Sequence, residues 1–309
     1  MPKLDEKKRM LPVGCHVSIA GGVENAPKNA AELGCETFQI FTRPPQGGPV
    51  PELTPEAVAS FKSDLKKYRF SGFVVHAPYY VNFGSSENRI YFGSISVIKQ
   101  ELARANLLGA KYMMTHLGSY KVAKREDVLQ YAAEGLVKVL EEYEGKTQFL
   151  IEISAGSGNI IGDTFEELAA IMDPLIKFKT FGGICFDTQH AFASGYDLRN
   201  TSTVVEVFRK FDEIIGLKWL KMSHVNDSKT DLASHRDRHE HIGEGRIGLE
   251  GFKAILGVLG NLSTRRSGRS LLSSRGETNK EGAMPLILET NHDKVKVDIE
   301  VLKGLRNKS

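Results

Sequence analysis

Short aliphatic and β-branched runs alternate with stretches of helical periodicity along the chain. The runs are VGCHVSI (13–19), ETFQIFT (36–42), GFVVHA (72–77), YMMTHL (112–117), QFLIEIS (148–154), GGICFDT (182–188), WLKMSHVN (219–226) and PLILET (285–290). Most are continuously apolar rather than alternating, as parallel strands covered on both faces are. Helical patterns fill the gaps at 54–68, 86–109, 125–145, 164–172, 203–215 and 249–259; the first opens on the cap signal Thr54–Pro55, and the 125–145 stretch ends at Gly145. Eight β–α units in strict alternation predict an α/β fold, a single (β/α)8 TIM barrel over 1–309, rather than a doubly wound open sheet. In such a barrel the active site lies at the C-terminal face of the strands. One segment breaks the pattern: NLSTRRSGRSLLSSRGETNKEGAM (261–284) is Ser/Arg/Gly-rich and aperiodic. It reads as a flexible insertion between the seventh helix and the eighth strand, hence on the face opposite the chemistry.

Composition adds limits. The 309 residues suit one large barrel, and the net charge of +3 is compatible with a nucleic-acid partner without requiring one. Cys15, Cys35 and Cys185 are odd in number, widely spaced and set in apolar runs, so reduced buried thiols are expected rather than disulfides or thiolate ligands. The start, MPKLDEKKRML, has no apolar stretch of signal-peptide length, and Lys7, Lys8 and Arg9 read as a solvated tail. No membrane contact is expected, and the chain reads as cytoplasmic.

The ends of the strands carry the chemistry. His76, His116, Glu152, Asp187, His224 and Glu289 close strands three to eight, His190 lies just beyond strand six, and Asp237 and His239 lie in the loop after strand seven. One histidine on an apolar strand is most often a satisfied core residue. Ionisable groups on six successive strands converge on one mouth, where unpaired burial would cost several kcal/mol each. Divalent cations resolve that conflict, and imidazole with carboxylate suits Zn²⁺, with Mn²⁺ or Fe²⁺ as alternatives. The set exceeds one tetrahedral ion and fits two or three ions sharing a bridging carboxylate, the usual equipment for phosphodiester hydrolysis. Gly156 and Gly158, and Gly243 and Gly245 in HIGEGRIG, could turn N–H groups toward a phosphate, although tight turns explain them as well.

The blocks HVSIAGG (16–22), HAPYYVN (76–82), LIEISAGSG (150–158), CFDTQHAFASGYD (185–197), HVND (224–227), DRHEHIGEG (237–245) and PLILET (285–290) together resemble the endonuclease IV family of apurinic/apyrimidinic endonucleases. The resemblance runs from His16 to the last helix and implies a xylose-isomerase-like barrel holding three zinc ions. Carried over by position, His76 and His116 hold the first ion with Glu152 bridging to the second. Asp187, His224 and Glu289 complete the second, and His190, Asp237 and His239 hold the third. The implied reaction is a base excision repair step on double-stranded DNA with abasic sites or 3′-blocking lesions. Hydroxide between the first two ions attacks the phosphorus 5′ to the abasic site, leaving 3′-hydroxyl and 5′-deoxyribose phosphate ends. Glu152 and Glu289 are the implied catalytic carboxylates, Glu289 also orienting the hydroxide. Tyr79 and Tyr80 match wedge positions that open the base stack, and Asn82 and Arg43 are the implied polar contacts to DNA. A monomer is expected. The loop FTRPPQGGP (41–49) departs from the family, with Gln46 and Gly48 where a basic and aromatic cluster is usual. The competing reading is a metal-dependent sugar isomerase or epimerase on the same kind of barrel; the extra ligands His76, His190, Asp237 and His239 weigh against it.

Overall fold

A computed structural model describes residues 11–121, 124–265 and 283–308. Eight parallel strands close a barrel: β1 (Val13–His16), β2 (Thr37–Ile40), β3 (Val74–His76), β4 (Tyr112–Thr115), β5 (Gln148–Glu152), β6 (Phe181–Asp187), β7 (Leu220–His224) and β8 (Leu286–Leu288). β1 closes the ring against β8, with Cys15 opposite Leu288. The expected barrel is therefore the observed one.

Helices α1 (Ala26–Glu32), α2 (Pro55–Lys67), α3 (Asn88–Leu108), α4 (Arg125–Leu140), α5 (Phe165–Met172), α6 (Thr188–Ala193), α7 (Thr201–Ile214), α8 (Gly248–Arg265) and α9 (Val295–Lys308) connect or follow the strands. The Thr54 cap is present, its hydroxyl accepting from Ala57 N at 3.2 Å with Pro55 in the first turn. Three helices lie outside the helical stretches expected from the sequence, α1, the six-residue α6 and α9. Of the expected insertion, 261–265 belong to α8, and Met284 is buried ahead of β8; 266–282 lie outside the described residues. Among the described residues no helix is long and apolar enough to cross a membrane.

Two apolar layers hold this shell. The larger packs the outer strand faces against the helices, with Phe38, Phe61, Phe73, Phe149, Phe165 and Phe211 fully buried. A smaller one fills the barrel: Val74, Tyr112, Met114, Leu150, Cys185, Met222 and Ile287. Side chains on a strand return to the same face every second residue. The inward residue after each plug residue is thus fixed: Val74 leads to His76, Met114 to His116, Leu150 to Glu152, Cys185 to Asp187, Met222 to His224 and Ile287 to Glu289. A dry plug below and a polar ring above follow from one alternation.

Candidate metal centre

The ring gathers closely. The ligand atoms of His76, His116 and Glu152 lie within 4.8 Å of one another, as do those of Glu152, Asp187, His224 and Glu289, and those of Asp187, His190 and His239. Glu152 is shared by the first two groups and is fully buried, its Oε2 lying 3.6 Å from His76 Nε2 and 3.7 Å from His116 Nδ1. Asp237 reaches in from the loop after β7, 3.4 Å from His190 Nε2 and 3.3 Å from His239 Nε2. All nine sequence-selected residues therefore meet at one mouth. One grouping differs from the expected division, because Asp187 approaches the third cluster as well as the second, with Oδ2 3.8 Å from both His239 Nε2 and His224 Nδ1.

Local structure aims these groups. Asp187 ends β6 and also caps α6, accepting from His190 N at 2.8 Å, so the turn that stops the strand points His190 back into the mouth. His76 Nδ1 faces the Ala77 carbonyl at 2.5 Å and His190 Nδ1 faces that of Ile153 at 2.9 Å. Each Nδ1 must donate, which leaves the Nε2 lone pair directed into the cluster. Four cluster atoms, His116 Nδ1, Glu152 Oε2, His190 Nε2 and His239 Nε2, are buried with no hydrogen-bond partner. Orphaned acceptors converging on one space fit a cation, which removes the cost of burying them.

The electrostatics agree. Burial opposes ionisation of Glu152, yet His224 and His116 hold it well below the usual carboxylate range. The same opposition is overcome at Glu289, held at about 2 by His224 and His76. Burial alone would depress His190, but Asp187, Asp237 and Glu152 push it up to about 10, so a cation taking its Nε2 would displace a proton that these same carboxylates hold. Cys185 lies beneath Glu152 and His224, and burial pushes its thiol up to about 12, so it is neutral in the physiological range.

Residues outside the expected set hold this one in place. Asn226 donates to Asp187 Oδ2 at 2.8 Å and accepts from Glu289 N at 2.7 Å. Gln39 contacts both His224 and Glu289. Gln39 and His16, paired in register on β2 and β1, fill the ring where those strands supply no acid. The alternation was the signal that could have found them. Gly243 and Gly245 donate to Asp227 Oδ2 at 2.9 and 3.2 Å, so HIGEGRIG wraps a buried carboxylate and forms the tight turn rather than a phosphate cradle. A Cβ at Gly245 would lie 2.4 Å from Asp227 Oδ1.

The expected DNA contacts divide. Tyr79 and Tyr80 stand at the rim, 56% and 40% exposed, beside a cleft of about 380 Å³ that also reaches Asn82, His116, His190 and Asp237. Asn82 Oδ1 is committed to Gly84 N and Ser119 N. Arg43 is buried, its Nε donating to Glu101 Oε1 at 2.6 Å and its Nη2 to Gln100. Glu101 is fully buried on α3, and its other cation, Arg104, comes no nearer than 3.6 Å. It therefore draws Arg43 under the loop and away from the surface.

A polar ring of imidazoles and carboxylates over an apolar plug defines a metal-competent TIM barrel, and residues 27–261 match the xylose isomerase-like TIM barrel family. The "probable endonuclease 4" of Methanoculleus marisnigri is 42% identical over 248 residues, 80% of this chain and 88% of that one. Endonuclease IV from Thermus thermophilus superposes with a TM-score of 0.77 at 28% identity, over 96% of this chain and all of that one. The chain belongs to the endonuclease IV family and is a hydrolase of the nuclease class. A D-tagatose 3-epimerase-like protein superposes with a TM-score of 0.69 over 96% of this chain and 98% of that one; at 20% identity the likeness is one of fold alone.

Proposed function

We propose that this chain is a zinc-dependent endonuclease of base excision repair that cuts double-stranded DNA on the 5′ side of abasic sites, leaving 3′-hydroxyl and 5′-deoxyribose phosphate ends. The observation that carries the reading is the set of four buried, partnerless nitrogen and oxygen atoms on the family's ligand positions. Three ions are inferred: one at His76, His116 and Glu152, one at Glu152, Asp187, His224 and Glu289, and one at His190, Asp237 and His239. Bound there, zinc would supply Lewis acidity toward phosphate oxygens and activate water near neutral pH.

The chain's own residues supply the rest. Glu152 is shared between two groups, so it would fix their spacing and offset the repulsion between two cations held there. Glu289 would orient the attacking water, a role supported by its Oε2, which lies 3.3 Å from His224 Nδ1 within the cluster. Tyr79 and Tyr80 offer stacking surface at the rim, worth roughly 1–3 kcal/mol per base. The purified protein is expected to carry close to three zinc ions per chain and to nick a duplex bearing one tetrahydrofuran abasic analogue. Metal analysis giving one ion, with that duplex left intact, would return the reading to a sugar isomerase or epimerase.

A further inference from the structure

Gln39 on β2 is fully buried, and its carboxamide lies between two groups assigned above to one ion. Its Nε2 donates to Glu289 Oε1 at 2.7 Å and lies 3.0 Å from His16 Nδ1, while its Oε1 lies 2.8 Å from His224 Nε2. The two ends of an amide are told apart by their partners. A carboxylate that ligates a cation only accepts, and Glu289 Oε1 is the acceptor of this contact. The end facing Glu289 is therefore the NH₂ group, and its second hydrogen falls to His16 Nδ1.

The opposite end is then the carbonyl oxygen, which cannot donate. His224 Nε2 must carry the hydrogen of that contact. The other ring nitrogen, Nδ1, faces the cluster, hydrogen-bonded to Glu152 Oε1 at 2.6 Å and lying 3.3 Å from Glu289 Oε2 and 3.8 Å from Asp187 Oδ2, so a cation bound there would take the place of its proton. The same amide engages Glu289 Oε1, so Oε2 is the oxygen left turned inward. His76 and His190 take their orientation from main-chain carbonyls, which no substitution deletes; His224 takes its own from a side chain.

We propose that Gln39 is a positioning residue of the metal centre, its single amide selecting Nδ1 of His224 and Oε2 of Glu289 as the atoms presented to an ion. The inference rests on the metal-dependent reading above. In zinc-loaded protein labelled with ¹⁵N-histidine, His224 is expected to show a protonated Nε2 and a metallated Nδ1. The reverse pattern would overturn the proposal. Gln39→Met keeps the side-chain length and removes all three hydrogen bonds. Chelator competition should show one ion bound about 10–100-fold more weakly than in the wild type, the loss expected when the partner of a ligand is removed. Unchanged affinity for every ion would overturn it too. Should the variant not fold, the wild-type spectrum decides alone. A wild-type protein that takes up no zinc would instead refute the metal-dependent reading itself, an outcome distinct from a failure of Gln39.

Discussion

Glu152 is the residue on which two of the three inferred ion sites depend. Glu152→Gln keeps its shape and halves its capacity to bridge, so incision of the abasic duplex should fall by at least about 100-fold while DNA binding is largely kept. Normal cutting by the variant would remove the bridging assignment. Six of the nine candidate ligands were legible in the sequence because each is an ionisable residue two positions beyond an apolar one on a buried strand, while His190, Asp237 and His239 follow the strands in a helix and a loop. Gln39 and His16 occupy equivalent positions but were passed over, since an uncharged amide and a histidine with no neighbouring acid raise no conflict in the sequence alone. The burial of Arg43 was illegible for a different reason. Nothing near it in the chain shows that Glu101, far along α3, is buried and in need of a cation.

At the scale of elements, the segments that reach the mouth from outside the barrel are set by hydrogen bonds to buried carboxylates. The loop after β7 is gathered by Asp227, so Gly245→Ala should destabilise the fold by about 2 kcal/mol or more and weaken metal binding at Asp237 and His239. Urea unfolding and chelator competition on one variant would check both. Helix α9 is joined to the same loop by His241, whose Nδ1 lies 2.8 Å from Asp298 Oδ2. Burial would lower this imidazole, but Asp298, with Asp293 and Glu240, raises it above its ordinary 6.5. A folded value above the unfolded one means the stabilisation is complete below pH 6.5 and is lost as pH rises through the elevated value. His241→Gln should therefore cost about 2 kcal/mol near pH 6 and less near pH 9, as read from urea midpoints. An equal cost at both values would discard the charged pair. Most of the long helices were readable from periodicity and caps. Helix α6 was not: at six residues it is too short to show a period, and its cap, Asp187, is also the last residue of a strand.

For the whole molecule, the two faces of the barrel divide the labour. Ala283, just before β8, accepts from Lys111, just before β4, so the chain re-enters the described fold at the N-terminal face. Deleting 266–282 and joining the flanks with a short linker should leave incision within about twofold of the wild type. A large loss would mean that this segment reaches DNA from elsewhere. The barrel was predictable because alternation of strand and helix is a global pattern. The surface of the loop at 41–49 was not, because it depends on which side chains the neighbouring helix withdraws.

That withdrawal has a consequence for how the protein responds to ionic strength. A cation contributes to the salt dependence of DNA binding only by displacing condensed counterions from a phosphate, about 0.9 in the slope of log K against log salt for each contact. Arg43, neutralised by Glu101 beneath the loop, is spent before DNA arrives. Arg43→Met should therefore leave the slope unchanged, while stability falls by about 3 kcal/mol because buried Glu101 loses its nearer cation. A slope that drops by close to one unit would put Arg43 back on the phosphate backbone.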